Sequence, residues 1–167
     1  VIVERHYLSD PDQVELIPGI GDALRQLREM GLGLVILTNQ SAIGRGCFDG
    51  RRLEAIHQRM TDLLGAAQAR VDGIYHCPHV PEDDCGCRKP RPGLLEQAAR
   101  ELHFDPRESF VMGDKACDVE LGRRVGATTF LVRTGYGAQM AEACKAQTDH
   151  VVEDLFQLTG VAHLLEA

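Results

Sequence analysis

Two patterns of apolar residues alternate along the chain. Between positions 20 and 30 apolar residues recur every third or fourth place, which is the spacing of an amphipathic helix, and glycines bound this segment. The next run, LGLVILTNQ at 32–40, is apolar without alternation and ends in polar residues, as expected of a strand buried on both faces of a parallel sheet. The same succession then repeats. It predicts further helices near 53–64, 95–102, 117–125, 138–146 and the end of the chain, and further strands at 73–77, 109–114, 128–134 and 150–154.

Strands that alternate with helices indicate an α/β fold, in the form of a doubly wound parallel sheet covered by helices on both faces. No internal repeat, low-complexity tract or linker divides the sequence, so we expect a single domain over residues 1–167. In such sheets ligands bind beyond the carboxyl ends of the strands. The motifs TNQS at 38–41 and GDK at 113–115 both fall at such ends. The sequence therefore predicts a binding cleft that these motifs line.

Composition narrows the class of partner. Twenty-five acidic residues against eighteen basic ones give a net charge of −7, which argues against nucleic acid or an anionic membrane surface as the main partner. Aromatic residues make up only 5% and tryptophan is absent, so a platform that stacks bases is not expected. No apolar run approaches the roughly 20 residues of a spanning helix, and residues 1–20 lack a signal-peptide pattern. We predict a cytoplasmic, monomeric protein that acts on a small molecule.

The six cysteines fall into two groups. Cys47, Cys117 and Cys144 are scattered, and we assign them no role beyond that of small buried hydrophobic residues. The other three lie within the eleven residues CPHVPEDDCGC at 77–87. A secreted disulfide framework would spread its cysteines along a shorter, less apolar chain. The second group therefore favours metal binding.

Cys77, His79, Cys85 and Cys87 supply three sulfurs and one nitrogen, the ligand set of a closed tetrahedral zinc site. Because four protein ligands leave no open position for water, we predict a structural zinc ion that orders the polar loop between them. His76 is the rival nitrogen ligand, but on an extended segment it faces away from Cys77. A disulfide between Cys85 and Cys87, one residue apart, would be strained.

Two acids follow the predicted strand at 109–114. Asp114 ends that strand and can present its carboxylate to the cleft, and Asp118 lies on the first turn of the next helix, where the helix dipole favours negative charge. Carboxylate ligands beside a phosphate suit Mg²⁺. The structural alternative is that Asp114 caps the helix and that Asp118 is solvated. These residues alone leave both interpretations open.

Two further segments are candidates for phosphate binding. Thr38 can offer its hydroxyl and the neighbouring backbone N–H groups to a phosphate, and it can equally serve only to end the strand. The segment RKPRPG at 88–93 places three cations before a helix, with prolines that stiffen the approach. Arginine as a bidentate fork and lysine as a point charge suit a phosphoryl group, and a solvated basic turn is the alternative.

Taken in order, these motifs resemble those of the haloacid dehalogenase superfamily of phosphatases, and within it the D-glycero-D-manno-heptose-1,7-bisphosphate 7-phosphatase branch. ILTNQSAIGRG resembles the second motif of the family, CRKPRPG the third and VMGDKACD the fourth. CPH…CGC resembles a zinc loop that this branch shares with the neighbouring histidinol-phosphatase branch. The resemblance covers nearly the whole chain. It implies a Rossmann-like core without a large cap domain.

The resemblance implies a role for each matching residue. Thr38 would bind the transferring phosphoryl group, and Lys89 would stabilise it. Asp114 would hold Mg²⁺, with Asp118 supporting the motif. The remaining residues would contact a sugar phosphate substrate: Glu4, Arg5, His6, Tyr7, Asn39, Gln40, Ser41, Arg88 and Lys115.

The first motif of the family, D-x-D-G, supplies a nucleophilic and an acid/base carboxylate, and we expect it with its strand immediately before Val1. The chain opens with VIVERHYLSD, which resembles the stretch after that motif, and Asp10 and Asp12 follow no apolar strand. The implied reaction is attack of the upstream aspartate on phosphorus, which gives an aspartyl-phosphate that water hydrolyses. Residues 1–167 alone are therefore expected to be inactive.

Three other functions are alternatives to this interpretation of the sequence. Histidinol-phosphate phosphatase has the same chemistry and zinc loop, but that branch tends to carry Asp and Arg where this chain has Ser41 and Lys115. A polynucleotide 3′-phosphatase is disfavoured by the acidic balance and the few aromatic residues. A non-catalytic phosphate-binding module is favoured if the upstream D-x-D motif is absent.

Overall fold

The computed structural model describes residues 1–5, 7–157 and 160. His6 and most of the predicted terminal helix lie outside the described residues. The chain divides into two compact units, Val1–Asp84 and Cys85–Ala167, and each is described by itself. The expectation of a single domain stays a prediction. Among the described residues, no helix combines the length and the apolar character needed to cross a membrane.

The first unit alternates helices and parallel strands. Its elements are α1 (Ile20–Glu29), β1 (Val35–Asn39), α2 (Ser41–Gly44), α3 (Gly50–Ala66) and β2 (Gly73–Cys77), with short 3-10 helices at Pro11–Gln13 and Pro81–Asp83. β1 and β2 pair in parallel, with Val35 opposite Gly73 and Asn39 opposite Cys77. The carboxyl ends of these two strands therefore lie side by side.

Two amphipathic helices build the core of this unit. α1 buries Ile20, Ala23, Leu24 and Leu27, and α3 buries Leu53, Ile56, Met60 and Leu64. α3 begins three residues before Leu53, the first residue of the predicted apolar stripe, and Asp49 caps it by accepting the Arg52 N–H at 2.9 Å. Gly21 permits close approach to the end of α3, since a Cβ at that position would lie 2.7 Å from the Ala67 Cβ.

The second unit contains a three-stranded parallel sheet. Its elements are α4 (Gly93–Leu102), β3 (Phe110–Gly113), α5 (Ala116–Val125), β4 (Thr128–Val132), α6 (Gly137–Cys144) and β5 (His150–Val152), with a 3-10 helix at Pro106–Glu108. The strand order is β3-β4-β5. The predicted α/β class with parallel strands is confirmed.

Helices α5 and α6 pack their apolar residues against β4. The buried cluster contains Val119, Leu131, Ala141 and Cys144, so Cys144 is the small buried residue that the sequence predicts. Cys47, in contrast, is exposed, and Cys117 is half-buried. For Cys47 the prediction was wrong, since this residue lies in the exposed turn after α2.

Candidate active site and metal centre

The segment 77–87, here called the zinc segment, brings its four predicted ligands together. One ligand atom from each of Cys77, His79, Cys85 and Cys87 lies within 4.8 Å of all the others. The Cys77 Sγ to His79 Nδ1 distance is 3.5 Å, and so is the distance between the Cys85 and Cys87 sulfurs. Ligands about 2.0–2.3 Å from a tetrahedral zinc are separated by roughly 3.5–3.8 Å, so this donor set fits the metal. This cluster can hold zinc.

His76 is not part of this group. Its side chain is exposed, and its ring packs edge-on against that of His57, with 5.8 Å between the centroids. Burial, aided by the neighbouring His76, lowers the pKa of His57 from 6.5 to about 4. This position agrees with the prediction that His76 faces away from Cys77.

Backbone hydrogen bonds tie the start of the zinc segment to the TNQS motif. The Gln40 N–H donates to the Cys77 carbonyl at 2.7 Å, and the Gly44 N–H donates to the Pro78 carbonyl at 2.9 Å. α2, too short to show apolar periodicity and therefore missed by the sequence, lies between these two bonds. The side chain of Gln40 donates to the Thr38 hydroxyl at 3.0 Å. The backbone around Thr38 is thus anchored on a metal ligand and its neighbour.

At the end of β3, five residues form what is here called the strand-end cluster: Lys89, Asp114, Lys115, Asp118 and Tyr136. The Lys89 ammonium pairs with Asp118 at 2.7 Å, and the two side chains are only 14% and 7% exposed. The other Asp118 oxygen accepts the Lys115 backbone N–H at 3.2 Å. Asp114 accepts the Tyr136 backbone N–H at 2.9 Å. The Lys115 ammonium lies 4.4 Å from the centroid of the Tyr136 ring.

Three glycines make these close contacts possible. A Cβ on Gly113 would overlap the Asp118 carboxyl group, and a Cβ on Gly135 would overlap the Asp114 carboxylate. Gly135 also has a positive φ of 61°, a conformation that favours glycine. A Cβ on Gly137 would collide with the Val132 carbonyl. The chain after β4 can therefore lie directly against the end of β3.

The structural alternative for the two acids was wrong on both counts. Lys115, not Asp114, occupies the N-cap position of α5. Asp118 is buried rather than solvated, because its carboxylate lies between the Lys89 ammonium and the first turn of the helix. A buried carboxylate with a cationic partner and a backbone donor is a stable arrangement. Asp118 thus orients Lys89.

Asp114 suits the predicted magnesium site. A carboxylate offers about four lone-pair directions, so acceptance of one backbone N–H is compatible with metal coordination.

Cys117 lies close to Asp114 in the sequence. Burial, and then the Asp118 carboxylate, raise the pKa of its thiol, and the smaller effects of Lys89 and Lys115 lower that pKa. The thiol therefore stays protonated at neutral pH and is a poor nucleophile.

The predicted substrate residues near the start of the chain are exposed. Glu4, Arg5 and Tyr7 all lie at the surface, and Arg5 pairs with Glu15 at 3.1 Å. His6 is outside the described residues. The other predicted contact residues are half-buried: Asn39, Gln40, Ser41 and Arg88.

The second unit brings four predicted site residues into one set of contacts: Lys89, Asp114, Lys115 and Asp118. Thr38 belongs to the first unit, so the prediction that it shares a pocket with this set stays a prediction. Tyr136 also belongs to this set and was not predicted from the sequence. The signal was present, because GYG at 135–137 follows the predicted strand at 128–134 and so falls at the same edge of a parallel sheet.

Comparison with known proteins agrees with these features. Residues 86–158 match the model of the HAD-hydrolase-like family. The chain is 39% identical over 163 residues to the D-glycero-beta-D-manno-heptose-1,7-bisphosphate 7-phosphatase of Pasteurella multocida, covering 93% of this chain and 88% of the relative. It is 41% identical to the enzyme of the same name from Escherichia coli K12, covering 80% of this chain and 74% of that one.

A solved structure extends the likeness to the fold. The D,D-heptose 1,7-bisphosphate phosphatase of B. bronchiseptica, in complex with magnesium and phosphate, superposes with a TM-score of 0.86 at 34% identity. The match covers 96% of this chain and 89% of that one. The chain therefore belongs to the heptose-1,7-bisphosphate 7-phosphatase family of HAD-like hydrolases.

Proposed function

We propose that the protein is a magnesium-dependent phosphatase that removes the 7-phosphate of D-glycero-β-D-manno-heptose 1,7-bisphosphate. The observation that carries this proposal is the strand-end cluster, which gathers the Asp114 carboxylate and two lysines around the end of one parallel strand. Family membership supports the choice of substrate, since the relatives carry that activity in their names. The cytoplasmic location and the monomeric state stay predictions.

In this proposal each residue supports one aspect of phosphoryl transfer. Lys89, held by Asp118, stabilises charge that develops on the phosphoryl oxygens. Thr38 offers its hydroxyl to the same group, and Asn39, Gln40 and Ser41 contact the substrate. Glu4, Arg5, His6, Tyr7 and Arg88 bind the sugar phosphate farther from phosphorus.

Asp114 is the residue proposed to hold Mg²⁺. When bound, the ion would neutralise negative charge on the phosphoryl group, the main requirement of this chemistry. The Tyr136 N–H fixes the orientation of the carboxylate before the metal arrives. The zinc segment orders the loop beside Thr38 and takes no part in the reaction.

The test measures phosphate release by the protein as its gene encodes it, with Mg²⁺, from heptose 1,7-bisphosphate and from histidinol phosphate side by side. We expect a preference of at least tenfold for the heptose in kcat/KM. Lys89→Met should lower kcat by about a hundredfold or more, since charge stabilisation by one group contributes about that much. Asp114→Asn should weaken the response to Mg²⁺.

Two results would count against the proposal. A tenfold preference for histidinol phosphate would assign the protein to the neighbouring activity. Binding of either ester without turnover, at any Mg²⁺ concentration, would favour the non-catalytic phosphate-binding module. Arg107→Gln is a suitable control, because it removes an exposed cation of the second unit that pairs with Asp105.

A further inference from the structure

The two lysines of the strand-end cluster are held by different means. Lys89 is in direct contact with a buried carboxylate, so its charge is largely balanced within the protein. Lys115 instead lies over the face of the Tyr136 ring. In the described part of the second unit, no carboxylate forms an ion pair with the Lys115 ammonium.

This difference matters for anion binding. A carboxylate partner cancels the positive charge of an ammonium and occupies one of its three N–H donors. An aromatic ring attracts the ammonium through its quadrupole and leaves the net charge unchanged. Lys115 is therefore oriented, and it still carries a full positive charge for a ligand.

Tyr136 is itself placed by a contact with the Asp114 carboxylate. Its backbone N–H donates to Asp114, the residue directly before Lys115. Gly135 and Gly137 on either side let this turn approach Asp114 without steric conflict. Tyr136 thus contacts two consecutive residues, Asp114 through its backbone N–H and Lys115 through its ring.

We propose that Tyr136 is a positioning residue whose ring holds the Lys115 ammonium for a phosphoryl oxygen of the substrate. This inference rests on the proposed function, because it takes Lys115 as a substrate contact. It makes Tyr136 a determinant of affinity for a phosphate ester. The bond from its N–H to Asp114 is a separate contribution.

The two contributions can be separated by mutation, since a change of side chain leaves the backbone N–H in place. Tyr136→Phe keeps an aromatic face, and Tyr136→Leu removes it. We expect Tyr136→Leu to raise KM by about three- to tenfold, with kcat within twofold of the parent, from the usual strength of such contacts. Tyr136→Phe should stay within about twofold in both constants. Phe156→Leu, which removes an exposed aromatic ring elsewhere in the second unit, should change neither constant.

A second measurement reports on the geometry without turnover. Protons on the Lys115 side chain beneath an aromatic face have NMR signals shifted upfield by the ring current. This shift should be present in the parent and in Tyr136→Phe and absent in Tyr136→Leu, with Lys115→Met used for assignment. Titration with inorganic phosphate in the presence of Mg²⁺ should show weaker binding by Tyr136→Leu than by the parent and Tyr136→Phe.

The outcomes distinguish this inference from the proposed function. If the protein hydrolyses the heptose ester and Tyr136→Leu has the parent KM, the positioning role is wrong and the function stands. If no ester is hydrolysed and Tyr136→Leu still loses the ring-current shift and binds phosphate more weakly, the positioning role stands and the function is wrong. If Tyr136→Phe and Tyr136→Leu raised KM and weakened phosphate binding equally, the aromatic ring would have no role in positioning Lys115.

Discussion

The zinc segment and the strand-end cluster are assembled in opposite ways. The zinc segment draws all four ligand atoms from eleven consecutive residues, and a metal ion would supply the energy that closes it. The strand-end cluster joins residues from three distant parts of the chain, and its parts are held by a buried ion pair, two backbone hydrogen bonds and one aromatic contact. Loss of one group should therefore have different consequences in the two regions.

The largest expected effect follows from disruption of the zinc segment. Cys87→Ser or a strong chelator should remove one zinc ion per chain and lower the unfolding temperature sharply. Structural zinc contributes about 10–16 kcal/mol of apparent binding free energy in zinc-finger peptides, as much as the stability of a whole domain. Metal analysis and thermal unfolding provide the measurement.

Cys47→Ser is the matched control for this change. Cys47 is exposed and lies outside the group of ligand atoms, so its loss should change neither the zinc content nor the unfolding temperature. Retention of one equivalent of zinc by Cys87→Ser would contradict the assignment of the four ligands. It would also show that the zinc segment, like the strand-end cluster, does not depend on a bound metal ion held by these four residues.

The next effect, smaller but still large, is expected from Asp118→Asn. This change preserves size but replaces the negative charge beside the Lys89 ammonium, which is only 14% exposed, with a neutral amide. Removal of one member of a buried ion pair costs about 3–5 kcal/mol. We expect a loss of that order in the free energy of unfolding by urea. A lower kcat should accompany it, because Lys89 would lose its orientation.

Glu120→Gln provides a control on the same helix. Glu120 pairs with Arg124 one turn later, but both side chains are nearly half-exposed, and such pairs contribute only about 0.3–0.5 kcal/mol. If Asp118→Asn were no more destabilising than Glu120→Gln, the ion pair would not be what holds the cluster together.

The same contrast explains what the sequence could reveal. The four predicted ligands of the zinc segment lie so close in sequence that residue type and spacing alone predicted their grouping, which the structure shows for Cys77, His79, Cys85 and Cys87. Asp114 and Lys115 were predicted as site residues because parallel strands place their carboxyl ends at one edge of a sheet. Apolar periodicity likewise predicted the major helices, each of which buries a stripe of residues, and continuous apolar runs predicted the strands.

Other contacts had no signal in the local sequence, although GYG at 135–137 placed Tyr136 at the same edge of the sheet as Asp114. The Lys89–Asp118 pair joins two motifs that were interpreted separately, and only the packing of the loop before α4 on the start of α5 makes it. The contact between Tyr136 and Lys115 depends on where a turn after β4 lies. α2 has four residues, too few to show periodicity, and its position is set by bonds to the zinc segment. These are tertiary contacts, which spacing along the chain does not encode.

The smallest expected effect concerns the link between the zinc segment and the backbone near Thr38. A Cβ added by Gly44→Ala would lie 2.8 Å from the Pro78 carbonyl oxygen and 3.1 Å from the Val80 side chain. The bond from the Gly44 N–H to Pro78 would lengthen, and the loop between Thr38 and Gly44 would shift. Such overpacking costs about 1–3 kcal/mol. We expect a modest loss of stability and a few-fold rise in KM, with the zinc content unchanged because every ligand remains.

Gly65→Ala is the matched control, because a Cβ at this position of α3 would meet no atom within 4 Å. It should leave KM unchanged and stabilise the protein by up to about 1 kcal/mol. An unaltered KM in Gly44→Ala, despite the loss of stability, would show that the zinc segment supports the fold without positioning the loop between Thr38 and Gly44.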